Sequence, residues 1–222
     1  MRRYVTEFIG TFFLVFTVGC TVLAKSPLAP LAIGAVLMVM VYAGGHISGA
    51  HYNPAVTLGV LVRGKIEPIE AAFYWAAQLV AAVLAAVLAD YVVDPPAVSA
   101  LSPSGRDLGA ALVAEALFTF ALVYVVLNVA TSRDHPDNSF YGLAIGFTVA
   151  AGAFAVGGVS GAAFNPAVAL GASVMDLFAW SKIWLWLVAD LAGGAAAGAA
   201  FLTLNPDDRV AATPAEHAPA RS

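Results

Sequence analysis

Gly45–Gly59 reads GHISGAHYNPAVTLG and Gly157–Gly171 reads GGVSGAAFNPAVALG, with ten of fifteen positions identical at an offset of 112 residues. A second match lies upstream of each: EFIGTF at Glu7–Phe12 against EALFTF at Glu115–Phe120, at an offset of 108. The chain is therefore built from two related halves, about 1–93 and 105–204. Within each match an Asn-Pro-Ala triplet opens a short apolar stretch, Pro54–Val62 or Pro166–Val174. Each stretch would be about 14 Å long as a helix, and so reaches only halfway through a bilayer core. Asparagine suits an N-cap and proline suits the first helical position, so Asn53 and Asn165 are expected to start these half-helices.

The remainder of the chain fits the same solvent. Of 222 residues, 61% are hydrophobic and 11% charged, and the mean hydropathy is +0.85. Soluble domains are about 45–50% apolar and about 25% charged, and one core of this size cannot hide the surplus from water. Six stretches are long enough to span lipid: Tyr4–Ala24, Leu31–Gly49, Glu67–Asp90, Asp107–Ala130, Phe140–Gly158 and Lys182–Leu204. The expectation is an all-α membrane protein, with six transmembrane helices and two re-entrant half-helices in one transmembrane domain over 1–204. The polar stretch 205–222 reads as a flexible tail. A net charge of −4 offers no surface for nucleic acid. The single cysteine, Cys20, excludes an intrachain disulfide, and no metal site or cofactor is implied.

Three spans per half is an odd number, so the second half enters the membrane upside down. The half-helices then approach from opposite faces and meet at the midplane, where inverted repeats place solute sites. Each brings about half a positive charge and spare N–H groups to that point, which repels cations and suits a neutral solute. Seven Lys or Arg residues (Arg2, Arg3, Arg63, Lys65, Arg133, Arg209, Arg221) fall on the side of the termini and three (Lys25, Arg106, Lys182) on the other. The bias predicts cytoplasmic termini, in a plasma or inner membrane.

The paired triplets in their matched contexts, with EFIGTF and the closing LWLVADLAGG, resemble the aquaporin, or major intrinsic protein, family from about Arg3 to Leu204. The resemblance implies a right-handed bundle with one pore per protomer, a homotetramer, and water or small neutral solutes as permeants. It places Asn53, Pro54, Ala55, Asn165, Pro166 and Ala167 at the pore midplane. It also places a second, outer constriction at Ile33, Ala153, Ala162 and Val168. Water-selective members have an aromatic, a histidine, a small residue and an arginine there, and glycerol channels keep the arginine beside aromatics and glycine. Here valine stands where arginine is usual, and the set has no ring, charge or side-chain donor. That predicts a wide apolar filter, unless Phe154 or Phe164 swings in to narrow it.

Polar residues within the spans need partners. Glu7 and Glu115 occupy matching places and are expected to support the loops before the half-helices, as in the family. Asp190 lies about a dozen ångströms into the last span, either facing the pore or bonded at a helix interface. His51 could serve gating or simply bond within its loop, and Gln78 and Asn128 read as interhelical partners. Two rival functions remain open: an ion- or proton-coupled transporter using Asp190, and a non-conducting structural membrane protein. No nucleophile–base pair is visible, so an enzyme is not expected.

Overall fold

Proline and glycine mark the ends of most elements. The computed structural model describes residues 1–209, and these form eight α-helices. They are α1 (Arg2–Leu23), α2 (Ala29–Ser48), α3 (Pro54–Val62), α4 (Pro68–Val93), α5 (Gly105–Thr131), α6 (Tyr141–Ser160), α7 (Pro166–Val174) and α8 (Ile183–Leu204). Proline opens α3, α4 and α7, where its missing N–H costs nothing. Helices α2 and α6 both stop at a left-handed glycine, Gly49 and Gly161, each at φ 86°.

Six of the helices are long and apolar enough to cross a bilayer, while α3 and α7 are nine residues each. Their order repeats: two long helices, a half-helix and a third long helix, twice over. Aliphatic side chains such as Val80, Leu84 and Val87 on α4 stay exposed, which suits contact with lipid rather than water.

The long helices pack in pairs, α1 on α4, α2 on α6 and α5 on α8. Glycine makes these contacts close. A Cβ on Gly34 of α2 would lie 2.6 Å from the Gly146 carbonyl of α6, so the two backbones nearly touch. On α8, a Cβ on Gly193 would meet the Ala116 carbonyl of α5 at 2.5 Å, and one on Gly194 the Ala55 carbonyl of α3 at 2.5 Å. The small-residue run of α8 thus lets one helix press against two neighbours, and such packing supplies helix association in lipid.

Two expectations from the sequence change. Asn128 does not bridge helices; its amide donates to Tyr124 O, 2.7 Å away in its own α5. The tail does not begin at Asn205, because Pro206–Asp208 form a 3₁₀ turn and Asp208 is buried. Its carboxylate lies 3.3 Å from the buried Arg63 guanidinium and accepts from the Arg133 backbone N–H at 3.2 Å. The rest of the expected tail, 210–222, lies outside the described residues. Spacing rules carry no signal for a contact between residues 145 apart, which is why this one was not read.

Candidate functional site

The site is assembled where α3 and α7 meet end to end. The side-chain oxygen of Asn53 accepts the Ala55 N–H at 2.8 Å, and that of Asn165 accepts the Ala167 N–H at 2.9 Å. Each asparagine therefore caps its own half-helix and turns its amide outward. The Asn53 amide donates to Phe164 O at 2.8 Å, and the Asn165 amide donates to Tyr52 O at 2.9 Å. Each cap is thus fixed by the loop that leads into the other. An amide carries two donor hydrogens, so one remains on each asparagine for a passing acceptor.

Those entry loops hold unusual backbone. Ala50, Tyr52, Ala162 and Phe164 all have left-handed φ, between 48° and 53°, and none is glycine. Each such residue costs on the order of 1 kcal/mol, so something must hold the loops. In the first half it is Glu7. Its carboxylate accepts from Ser48 Oγ (2.7 Å), His51 N (2.9 Å), Tyr52 N (2.7 Å) and Gln78 Nε2 (2.9 Å). In the second half Glu115 accepts from Ala163 N (3.0 Å) and Phe164 N (2.7 Å). Both glutamates are fully buried, and neither lines either of the two cavities described below.

The long helices add matched braces. Tyr74 donates to Ser48 O at 2.7 Å, and its repeat mate Trp186 donates to Ser160 O at 2.9 Å. Sequence reasoning passed over both, although the offset of 112 connects them. Trp75 secures the half-helix itself, donating to Pro54 O at 3.1 Å.

Above the asparagines, toward the face opposite the termini, lies a cavity of about 300 Å³. Asn53 and Asn165 stand at its floor, and Ile33 (α2), Ala153 (α6), Ala162 and Val168 (α7) are in its walls. No Asp, Glu, Lys or Arg lines it. Phe164 does not enter: it is buried, with its ring 5.3 Å from that of Phe118. Phe154 is 60% exposed on the outer surface, so neither ring narrows the passage. Toward the termini a second cavity of about 420 Å³ carries Arg3, His46, Lys65 and Glu70. His51 and Val126 line both cavities and mark where they adjoin. The His51 ring rests on Thr57 Oγ, 3.0 Å from Nδ1, and Gln78 donates to the same hydroxyl at 3.1 Å.

Asp190 lies apart from both cavities. It is buried between α8 and α5, where Thr119 donates to its Oδ1 at 3.0 Å. The structure therefore brings Ile33, Ala153, Ala162 and Val168 into the wall of one cavity with the two crossed asparagine caps, and leaves Glu7, Glu115 and Asp190 out of that wall. Such an arrangement can pass a small uncharged molecule along an apolar wall, offer it amide donors midway, and oppose cations with two helix N-termini.

Residues 1–201 match the family described as Major intrinsic protein. The chain is 36% identical over 217 residues to a glycerol uptake facilitator protein-like 6 of Lactiplantibacillus plantarum, covering 94% of this chain and 100% of that protein. It is also 36% identical over 236 residues to aquaporin TIP1-2 of Zea mays, covering 97% and 92%. Among solved structures, the aquaglyceroporin from Plasmodium falciparum superposes with a TM-score of 0.77 at 23% identity, over 95% of this chain and 99% of that one. The last comparison speaks to fold.

Proposed function

The chain belongs to the major intrinsic protein family, and from that membership we propose that it conducts small uncharged solutes through a wide apolar filter and a midplane of paired asparagines. Members of this family are membrane channels and not enzymes, and this chain is a passive channel of that kind. The finer reading rests on one observation. The cavity that leads to Asn53 and Asn165 has Ile33, Ala153, Ala162 and Val168, the positions that the family resemblance assigns to the outer constriction, among its lining residues, and no Asp, Glu, Lys or Arg on its wall.

A filter without donors gives water little to replace its lost hydrogen bonds, so tight water selectivity is not its strength. It suits molecules such as water, ammonia, peroxide, urea and small polyols, which differ in size more than in charge. The two half-helix N-termini supply the barrier to cations that an arginine usually shares. The distribution of Lys and Arg supports cytoplasmic termini, and family resemblance supports a homotetramer in the plasma or inner membrane.

Stopped-flow light scattering on proteoliposomes tests the reading, with gradients of water, glycerol, urea and peroxide. The wild type is expected to pass several of these solutes. Val168→Arg is expected to restrict flux toward water, because a guanidinium would fill the aliphatic gap and add donors. If neither protein exceeds empty liposomes for any solute, the conducting reading fails. If Val168→Arg leaves the solute profile unchanged, the apolar constriction does not set selectivity.

A further inference from the structure

The offset of 112 that relates the half-helices also pairs Gln78 of α4 with Asp190 of α8. In the first half Gln78 donates its amide to Glu7 and to Thr57. In the second half the corresponding position is an acid. Its neighbour is again the loop-anchoring glutamate: Thr119, which donates to Asp190 at 3.0 Å, lies one turn from Glu115 on the same face of α5, and both acids are buried there. Ala169 replaces Thr57, so no hydroxyl is available at that position of α7.

We propose that Glu115 and Asp190 hold one proton between them, and that this proton gives the filter loop in the second half the hydrogen bond that an amide gives in the first. Both acids are fully buried. Asp190 Oδ1 accepts from Thr119, but Asp190 Oδ2 has no donor. Two ionised carboxylates side by side in a dry interior repel strongly, and one shared proton converts that repulsion into a hydrogen bond.

Among the described residues neither acid forms an ion pair, and Lys182 at the start of α8 lies about two turns from Asp190. Helices α3, α6 and α7 contain no Asp, Glu, Lys, Arg or His, and Asp190 is the only such residue of α8. On α5 the other charges are Arg106 and Asp107, about two turns or more from Glu115. Glu115 holds Ala163 and Phe164 directly, so the proton that steadies Glu115 also steadies the loop that carries Ala162 and leads to Val168. Removing it would put two negative charges behind that loop and release its anchor. The site is thus a proton-binding site set behind the constriction rather than within the passage.

Infrared spectroscopy of the purified protein in lipid tests the proton itself and requires no transport, so its result is separate from the channel reading. At neutral pH the wild type is expected to show a protonated-carboxyl stretch that shifts in heavy water. That band is expected to be lost in Asp190→Asn and in Glu115→Gln. Absence of the band from the wild type, or its survival in Asp190→Asn, overturns the proposal. Should one variant fail to fold, the wild-type spectrum and the other variant still decide. The second arm measures solute flux against pH in proteoliposomes. Wild-type flux is expected to be lost reversibly at alkaline pH, whereas Asp190→Asn, whose amide donates at every pH, keeps its flux. Identical pH profiles for the two proteins overturn the link between the proton and the loop.

Discussion

The two halves of this chain build nearly the same loop with different chemistry behind it. Backbone geometry is matched closely: Gly49 with Gly161, Ala50 with Ala162, and Tyr52 with Phe164 share their positive φ to within a few degrees. The anchors are not matched. Glu7 gathers four donors, two of them side chains, whereas Glu115 gathers two backbone donors and has the Ser160 hydroxyl and a second acid beside it. A backbone shape that needs a buried acceptor can therefore be kept while the outer partners of that acceptor change. The first half has become the more saturated support, and the second has exchanged an amide for a proton.

The largest expected effect comes from removing the anchors. Glu7→Leu would leave four buried donors without a partner, at about 1–3 kcal/mol each, and is expected to abolish folded protein. Glu115→Leu leaves only two and relieves Asp190 of its neighbour, so it should yield folded but destabilised channel. Fluorescence-detected size exclusion of the two variants checks the order, and a reversed order would break the contrast drawn between the halves.

A smaller and more even effect is expected at the crossed caps. Asn53→Ala and Asn165→Ala each lose a helix cap worth about 1 kcal/mol, together with one bond to the opposite loop. Thermal unfolding should place the two variants within a few degrees of each other, both below wild type. A large difference would show that the halves do not share the midplane equally.

The smallest effect separates two repeat mates. Thr119 donates to Asp190, whereas the hydroxyl of its counterpart Thr11 is buried without a partner. Thr119→Val should cost about 1 kcal/mol or more, and Thr11→Val should be neutral or slightly stabilising. Equal losses in the same unfolding assay would mean that Thr11 has a role in the first half that its geometry does not reveal.

Much of this architecture was legible because lipid imposes few solutions. The bounds of both half-helices follow from Asn-Pro and from the length of the apolar run, and α3 and α7 start and stop where those signals lie. Ends of the long helices were less legible. Helix α4 continues through Tyr91 to Val93, past the acid taken as its limit, because an exposed Asp90 at a helix end meets no penalty. That Ile33, Ala153, Ala162 and Val168 share one cavity wall could be anticipated from the motifs and the family resemblance, but the positions of Phe154 and Phe164 could not, since both are their aromatic neighbours in sequence. Packing decided it: Phe164 is fixed by its left-handed backbone against Phe118, and Phe154 lies on the far face of α6. Arithmetic alone sets Asp190 in the place of Gln78 (78 plus 112) and Glu115 in the place of Glu7 (7 plus 108), yet a carboxylate opposite a carboxylate is not a pairing that residue type suggests. The Arg63–Asp208 contact had no sequence signal at all, because it joins the end of a half-helix to the chain beyond the last span.

The crossed asparagine bonds also impose an order on biosynthesis. Asn53 finds its partner carbonyl 111 residues later, at Phe164. At a translation rate of about 5–20 residues per second, on the order of 10 s pass before that carbonyl exists. During that interval the Asn53 amide lacks the carbonyl that fixes it in the finished fold. The crossed caps thus close only once the second loop has been made, so the first loop is locked late.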